Sequence, residues 1–206
     1  MSIVTYNNRS IRNISAIPGA AKSLTHIKTL TASSSGTLSF VNGSSDVVLD
    51  STYPIYMFKF INLHPATDDV LFSVNFSADT GSNYNVTKTT TYLYAEHSEA
   101  DDATGLGYNT SRDLAQGTGV KTLISDVGNV NDESLAGELM LFNPSSTTFV
   151  KHFISKNTAN IKNNYNLVAY SAGYCNTTSA VDAVQFKMSS GNIDSGVIKL
   201  YGLKDS

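Results

Sequence analysis

Residues 184–203, VQFKMSSGNIDSGVIKLYGL, contain two short runs of sheet-forming residues separated by a turn signal. In the first run Val184, Phe186 and Met188 are separated by single residues, so every second side chain is large and apolar. Such alternation is typical of a strand with one buried face and one face toward water. The sequence SSGN then ends the run, and Val197–Leu203 predicts a last strand that returns as a hairpin.

The same pattern recurs along the chain from residue 24 onward. Runs of apolar and β-branched residues alternate with turn signals rich in Gly, Asn, Ser, Asp and Pro, at the spacing of about 8 to 12 residues that is typical of sandwiches and barrels. The predicted strands are 24–32, 36–42, 54–63, 69–78, 84–97, 119–125, 136–143, 147–155, 164–174, 181–188 and 196–203. Gly137 interrupts the one helix candidate, NDESLAGELMLF. The chain therefore predicts an all-β fold of about ten strands, and this number favours a two-sheet β-sandwich of the jelly-roll type.

The run IYMFKFI is apolar on both sides of its predicted strand. Tyr56, Phe58 and Phe60 fall on one side and are predicted to be packing residues of the core. Ile55, Met57 and Ile61 fall on the other side. In a small sandwich a second apolar face predicts contact with a loop, an arm or another subunit.

The strand predicted near 69–78 shows the opposite character. Its apolar side chains are Val70, Phe72, Val74 and Phe76, and its polar ones are Ser73, Asn75 and Ser77. We expect the apolar side to pack in the core and the polar side to face water.

The N-terminal residues 1–21, MSIVTYNNRSIRNISAIPGAA, have no clean sheet or helix period. They are rich in Asn, carry Arg9 and Arg12, and are broken by Pro18-Gly19. Apolar residues recur at Ile3, Val4, Ile11, Ile14 and Ile17. We expect an extended N-terminal arm over residues 1–21, with 3–17 docking onto another surface, followed by a β-sandwich domain over 22–206.

Composition limits the classes of partner. Of the 206 residues 41% are hydrophobic and only 15% are charged, and the formal net charge is −3. No cluster of Lys and Arg offers the basic stripe that nucleic-acid binding requires, so we expect no nucleic acid as partner. No apolar run approaches the roughly 20 residues of a membrane span, and the start MSIVTYNNRS lacks the apolar core of a signal peptide. We expect no membrane insertion, and synthesis in a cytoplasm.

One acidic stretch, AEHSEADDATG at 95–105, is a candidate for chemistry. Its oxygen-bearing side chains could hold calcium, although the spacing matches no EF-hand and such charge runs are usually solvated loops. Glu96 together with Asp68 or Asp69 could form the acid pair of a glycoside hydrolase, but the sequence does not place them at the required separation. We therefore predict no catalytic, cofactor-binding or metal-binding residue.

The single cysteine and the histidines give no further site. Cys175 has no partner for an intrachain disulfide and no neighbours that would activate a thiolate, so we expect a small, half-buried residue. The four histidines show no zinc-binding spacing. Gly105 and Gly107 follow no strand-then-helix pattern and predict no phosphate loop.

Tyrosine is the prominent aromatic residue, with 11 Tyr and no Trp. Six of these tyrosines occur in two Asn-rich and Thr-rich stretches: Tyr84, Tyr92, Tyr94, Tyr165, Tyr170 and Tyr174. Flat rings beside amides and carboxylates are suited to a shallow sugar-binding site. The alternative is that these rings fill the edges of the sandwich and keep their hydroxyls in water.

Five segments resemble small virion structural proteins of tailed bacteriophages, especially those infecting marine bacteria and cyanobacteria. These segments are IVTYNNRSI (3–11), DSTYPIYMFKFINLHPATDD (50–69), GSNYNVTKTTTY (81–92), LFNPSSTTFVKHF (141–153) and DAVQFKMSSGNIDSGVIKLYGLK (182–204). They are spread from end to end, and none is a catalytic motif. They look like strands and their turns.

The resemblance implies a non-enzymatic component of the virion exterior, such as a capsid decoration or a tail-fibre or appendage protein. It implies many copies, which favours a closed homo-oligomer, most simply a trimer, in contact with other virion proteins. The chain would be made in the host cytoplasm and end in the virion. The alternative is a receptor-recognition module at a fibre tip that binds a host-surface glycan. The resemblance transfers no functional residue.

Overall fold

Residues 24–204 are described by a computed structural model, so the predicted arm at 1–21 lies outside the described residues. The described chain forms twelve strands and a single 3-10 turn, Thr110–Arg112. The strands are β1 (Leu24–Thr31), β2 (Leu38–Val41), β3 (Ile55–Pro65), β4 (Val70–Ser77), β5 (Lys88–Ser98), β6 (Thr104–Tyr108), β7 (Lys121–Val127), β8 (Leu135–Phe142), β9 (Lys151–Ile161), β10 (Tyr165–Cys175), β11 (Ala183–Met188) and β12 (Ile193–Leu203). The all-β prediction is confirmed.

The strands pair antiparallel along two paths. The eight-strand path has the order β1-β12-β3-β8-β9-β10-β5-β6, and the four-strand path has the order β7-β4-β11-β2. A single residue pair, Val127 with Ile161, joins β7 to β9. The twelve strands are therefore one continuous hydrogen-bonded sheet whose two parts meet at one point.

The C-terminal strands do not form the predicted hairpin. β11 pairs with β4 and β2, whereas β12 pairs with β1 and β3. The prediction is wrong because β11 lies in the four-strand path and β12 in the eight-strand path, so each strand has other neighbours. Phe186 of β11 packs edge-on against Phe58 of β3, and Phe60 of the same strand pairs in register with Ile198 of β12.

Five phenylalanines form the centre of the core. Phe40, Phe58, Phe60, Phe72 and Phe186 are at most 2% exposed, and they touch through ring pairs with centroids 5.1 to 6.3 Å apart. Edge-to-face pairs of this kind add to the gain from burying the rings themselves. Tyr56, Phe58 and Phe60 are fully buried, as predicted for packing residues.

The polar side of β4 is buried, contrary to prediction. Ser73 and Asn75 are at most 5% exposed. The side-chain amide of Asn75 donates hydrogen bonds to the carbonyl oxygens of Tyr84 and Thr118, which lie in the loops before β5 and before β7. These loops cover the strand, so hydrogen bonds to the loops take the place of the expected water.

Strand boundaries differ from prediction mainly at the ends. β6, with the sequence TGLGY, was not predicted because two glycines in five residues read as loop. β9 continues to Ile161 instead of ending at 155, since its polar outer residues keep the alternation. On β3 the side away from the core reaches solvent, with Ile61 38% exposed.

Candidate functional site

A polar cleft opens where β5 comes close to β7. It consists of two adjoining depressions of about 150 and 270 Å³ that share Glu96 and Asp126. Around these carboxylates the cleft is lined by Tyr92, Tyr94, Asn109, Ser125, Lys162 and Tyr165, among others. We call this region the acidic cleft. Alternation along β5 places its tyrosines and Glu96 on the same face of the strand.

Two glycines of the edge strand β6 make room for the cleft side chains. Gly107 pairs with Tyr94 and Gly105 pairs with Glu96. A Cβ atom at Gly105 would come within 2.7 Å of the Glu96 carboxylate oxygen, and one at Gly107 within 3.2 Å of the Tyr94 ring. Gly105 and Gly107, for which the sequence predicted no phosphate loop, therefore leave room for Tyr94 and Glu96 to lie over β6.

A β-bulge directs Asp126 into the cleft. Val70 pairs with Val127 and Phe72 pairs with Ile124, so β7 has one residue more than β4 over this stretch. Asp126 lies at the bulge with a φ of 59°, in the left-handed region that non-glycine residues rarely adopt. Bulges are frequent beside functional sites because they re-aim a side chain. Here the bulge brings a second carboxylate beside Glu96.

The floor of the cleft is a buried tyrosine above a buried lysine. The Tyr92 hydroxyl lies 3.3 Å from the Ser125 hydroxyl, and burial raises the pKa of Tyr92. The Lys121 ammonium lies 5.0 Å from the centre of the Tyr92 ring and donates to the Arg112 carbonyl oxygen at 2.8 Å. Burial lowers the pKa of Lys121 to about 8. Tyr92 is therefore held by two side chains of β7, those of Ser125 and Lys121.

This arrangement suits a ligand rich in hydroxyl groups. The carboxylates of Glu96 and Asp126 can accept hydrogen bonds from hydroxyls, and Asn109 supplies an amide. The Tyr94 ring offers a flat apolar surface of the kind that stacks on a sugar. The cleft is small, so it would hold one or two sugar units at most.

The two aspartates that the sequence offered as partners of Glu96 are not among the residues that line this cleft. Asp69 forms an ion pair with Lys162, whose side chain lines the outer depression. Hydrogen bonding to Asp69 raises the pKa of Lys162. Neither Asp68 nor Asp69 lines the cleft, and the second carboxylate there is Asp126.

The acidic stretch at 95–105 forms the tight turn between β5 and β6. The Ser98 hydroxyl donates to Asp102 at 2.7 Å and accepts from the backbone N–H groups of Asp102 and Ala103. His97 pairs with Asp101 at 3.1 Å. Within residues 24–204 no group of three or more His, Cys, Asp or Glu side chains could hold a metal ion. The carboxylates of Asp101 and Asp102 instead hold the turn.

The six tyrosines of the predicted sugar site are divided between surfaces. Tyr92, Tyr94 and Tyr165 line the acidic cleft. Tyr170 and Tyr174 lie on the face of β10 that points away from the core, and Tyr84 lies in the loop before β5. The structure therefore divides these six tyrosines among separate surfaces, and sugar binding by any of them stays a prediction.

A second polar cluster lies inside the molecule around Cys175. This residue pairs with Lys88 on one side and Lys151 on the other, and all three are fully buried. The Lys88 ammonium donates to the Asn75 side-chain oxygen at 2.6 Å and to the Val86 carbonyl at 2.7 Å. Burial lowers the pKa of Lys88 to about 8 and raises the pKa of Cys175 to about 12. Cys175 is therefore a buried neutral thiol, more buried than predicted.

Sequence reasoning missed Asp126 and the buried lysines. Lysine in a strand normally indicates an outward side chain, and nothing near Lys88 or Lys151 contradicts that expectation. For Asp126 a weak signal exists, because aspartate inside the run LISDVGN is unfavourable in a regular strand. Such a residue can mark a bulge.

Comparison with known proteins identifies no family for this chain. No protein-family model matches the chain, and no curated protein matches it. A crystal structure of a protein of unknown function from Bacteroides ovatus is similar over 51% of this chain at 7% identity, with a TM-score of 0.28. The match spans 45% of that protein.

None of the described residues forms a helix long and apolar enough to cross a membrane.

Proposed function

We propose that the chain is a non-enzymatic structural component of the exterior of a tailed-phage virion, a capsid decoration or a tail-fibre or appendage protein. In this proposal it is made in the host cytoplasm and is incorporated into the particle as a homo-oligomer, most simply a trimer. The proposal starts from the resemblance of the five segments 3–11, 50–69, 81–92, 141–153 and 182–204 to such proteins.

The proposed architecture is a two-layer sandwich of the jelly-roll type. The four-strand path would be one layer, stacked on part of the eight-strand path. Ring contacts between Phe72 of β4 and Phe60 of β3, and between Phe186 of β11 and Phe58 of β3, run between the two paths and support this arrangement. The single pair of Val127 with Ile161 would then be a corner where the layers meet.

The observation that carries the oligomer proposal is a ladder of exposed large side chains at the β6 edge. Tyr108 pairs with Leu93, and Leu93 pairs with Tyr170, on three adjacent strands. These side chains are 45 to 48% exposed, and the neighbouring Leu106 is 85% exposed. We call these four residues the β6 ladder. Contiguous apolar surface beside a free strand edge is costly in water and typical of a contact between proteins.

Size-exclusion chromatography with light scattering tests the oligomer. We expect the native chain at micromolar concentration to have about three chain masses. The double variant Leu93→Lys/Leu106→Lys should run as a monomer, because it places two charges in the contact. Thr104→Lys adds a charge at an exposed position of β6 that does not belong to the β6 ladder. It is the control and should keep the native mass. A native monomer would contradict the proposal.

The second candidate function is binding of a host-surface glycan, which the acidic cleft favours. Binding of host polysaccharide to the immobilised native protein would test it. We expect Tyr94→Ala and Glu96→Gln each to reduce binding at least about tenfold, since each removes a ring or an acceptor from the cleft. Tyr84→Ala lies outside the cleft and serves as the control. Equal losses in all three variants, or no binding by the native chain, would contradict glycan binding at the cleft. The structural role would then be the one candidate function left.

A further inference from the structure

A continuous row of side chains crosses seven strands on the side that faces away from the core. Each member is in register with the next, in the order His26, Tyr201, Met57, Met140, Ile154, Ala172 and Thr91. None of them is buried, and Ile154 is 48% exposed. The five central members are apolar or aromatic. We call this set the outer row.

The outer row ends in an apolar groove. The groove has a volume of about 430 Å³ and is lined by Thr89, Thr91, His152, Ile154, Ala172 and Tyr174, among others. The small side chain of Ala172 lies between the larger Ile154 and Tyr174 and leaves a depression there. The depression has room for a branched aliphatic side chain, whose burial there is favourable because it removes apolar surface from water.

The row begins where the described chain begins. Leu24, the first described residue, lies in β1 beside Leu203, two positions before His26. Twenty-three residues precede it, and their apolar residues include Ile11, Ile14 and Ile17. Strands are about 4.8 Å apart, so β1 to β10 spans roughly 24 Å, which about eight extended residues can cover. The segment is long enough to cross the row with several residues left for a turn.

We propose that residues 3–17 of the same molecule lie across the outer row. Isoleucines three positions apart in an extended segment are about 9.3 Å apart, and two strand spacings are about 9.6 Å. Ile17 then contacts Tyr201 on β12, Ile14 contacts Met140 on β8, and Ile11 fills the groove at Ala172 on β10. Pro18-Gly19, a turn sequence, lies between this segment and β1 and allows the chain to reverse direction.

The occupant is the molecule's own segment because of its attachment. A segment tethered by a few residues to the edge of the row has an effective concentration in the millimolar range. A second copy at micromolar concentration competes poorly with it. The proposed subunit contact at the β6 ladder involves other residues, so this inference does not depend on it.

Methionine oxidation of the full chain tests the proposal. Met57 and Met140 belong to the outer row, whereas Met188 is buried in the core at 1% exposure and serves as an internal control. In the variant Ile11→Asp/Ile14→Asp/Ile17→Asp we expect both outer methionines to react with dilute peroxide about fivefold faster than in the native chain, because oxidation follows exposure. Met188 should react at its native rate, which shows that the fold is intact.

The matched control is Asn7→Asp/Asn8→Asp/Asn13→Asp, which adds the same three charges to the segment but keeps its isoleucines. It should protect Met57 and Met140 as the native chain does. Equal oxidation of Met57 and Met140 in the native chain and the isoleucine variant would overturn the proposal.

Photocrosslinking identifies whose segment it is. With p-benzoylphenylalanine in place of Ile14, irradiation of a mixture of nitrogen-15 and unlabelled full-length chains should link position 14 to Met140 within one copy. In an equal mixture, links between copies would combine a heavy and a light half in about half of the linked peptides, and this outcome would assign the row to a second copy and overturn the proposal. Links to residues of the core side only would overturn it as well.

Discussion

The interior has two regions built from opposite chemistry. The aromatic region, formed by Phe40, Phe58, Phe60, Phe72 and Phe186, contains rings in contact with rings. The lysine region, formed by Lys88, Lys121, Lys151, Tyr92 and Cys175, contains three buried ammonium groups. The ion pairs of the described residues join Lys59 to Glu138, His97 to Asp101 and Lys162 to Asp69, so none of these three lysines is in an ion pair.

The two regions contribute differently to the free energy of folding: the aromatic region stabilises the fold, whereas the lysine region carries a cost that hydrogen bonds must offset. Burial of rings is favourable in proportion to area, whereas burial of an ammonium group is costly unless hydrogen bonds compensate for it. The backbone carbonyls of Val86, Arg112 and Thr177 accept those hydrogen bonds in the lysine region. We therefore expect the aromatic region to supply most of the stability, and the lysine region to make that stability depend on pH.

The largest effect should come from Phe186→Ala in the aromatic region. Phe186 touches Phe40, Phe58, Phe60 and Phe72, so its loss leaves a cavity among rings. We expect the free energy of unfolding to fall by about 3–5 kcal/mol in urea denaturation. Gln185→Ala, on the opposite side of the same strand, should cost less than about 1 kcal/mol. Similar losses in both variants would remove the distinction between the two regions.

The second largest difference in stability is expected between two glycine-to-alanine variants, one in the core and one beside the cleft. A Cβ atom at Gly202 would lie 2.3 Å from the Tyr53 ring, while one at Gly107 would lie 3.2 Å from the edge of Tyr94. Tyr53 packs edge-on against Tyr56 in the core, whereas Tyr94 lines an open cleft and can rotate away. We expect Gly202→Ala to cost about 1–3 kcal/mol and Gly107→Ala less than about 1 kcal/mol in thermal denaturation. A larger cost at Gly107 would show that the cleft is packed as tightly as the core.

The third effect is a rise in stability between pH 8 and pH 9. Lys88 and Lys121 have pKa values of about 8 in the folded chain instead of 10.5, so the unfolded chain binds more protons over this range and the free energy of unfolding increases with pH. Each lysine should contribute about 1 kcal/mol between pH 8 and pH 9. Denaturant titrations at pH 7, 8 and 9 measure it, and Lys121→Met should remove about half of the rise.

Above pH 9 the trend should weaken. The thiol of Cys175, whose ordinary pKa is 9.0, is half ionised in the unfolded chain at pH 9 and mostly ionised above it, but it stays neutral in the folded chain, where its pKa is about 12. This lowers stability, and it already offsets part of the rise from the lysines between pH 8 and pH 9. Tyr56, whose pKa burial raises to about 12, adds the same effect above pH 10. Lys187→Met, at a partly exposed position, is the control and should keep the full rise. A flat profile from pH 8 to pH 9 would show that the buried ammonium groups are fully compensated.

The smallest effect concerns the bulge beside the lysine region. Asp126→Gly should change the free energy of unfolding by no more than about 0.5 kcal/mol, because glycine adopts a φ of 59° without strain. Asp126→Val should cost about 1–2 kcal/mol at the same position. Thermal denaturation of the two variants side by side measures the difference. A large loss with glycine would mean that the Asp126 carboxylate itself stabilises the fold.

The sequence predicted most strands because alternation directly reflects burial on one side of a sheet. Phe58 and Phe60, or Val184 and Phe186, show period two without ambiguity. The hairpin of β11 with β12 was wrong because alternation says which side is buried and nothing about which strand is the neighbour. A short turn such as SSGN fits a crossing between sheet parts as well as a hairpin.

The acidic cleft could be predicted only in part. Tyr92, Tyr94 and Glu96 share one face of β5 by simple alternation, and the sequence suggested both the tyrosines and Glu96. Asp126 could not be predicted, since a one-residue bulge changes the side to which it points. The lysine region could not be predicted because the hydrogen-bond acceptors of its ammonium groups are mostly backbone carbonyls, which carry no sequence signature.

The position of β1 has a consequence for synthesis on the ribosome. Among the described strands β1 pairs only with β12, and Leu24 lies beside Leu203. The first described strand must therefore wait, unpaired with any other described strand, until β12 has left the exit tunnel. Pairing between strands far apart in the chain is slow, so β3 of the nascent protein lacks its neighbour β12 for a long time. Efficient production should therefore depend on chaperones that shield β3 until β12 emerges.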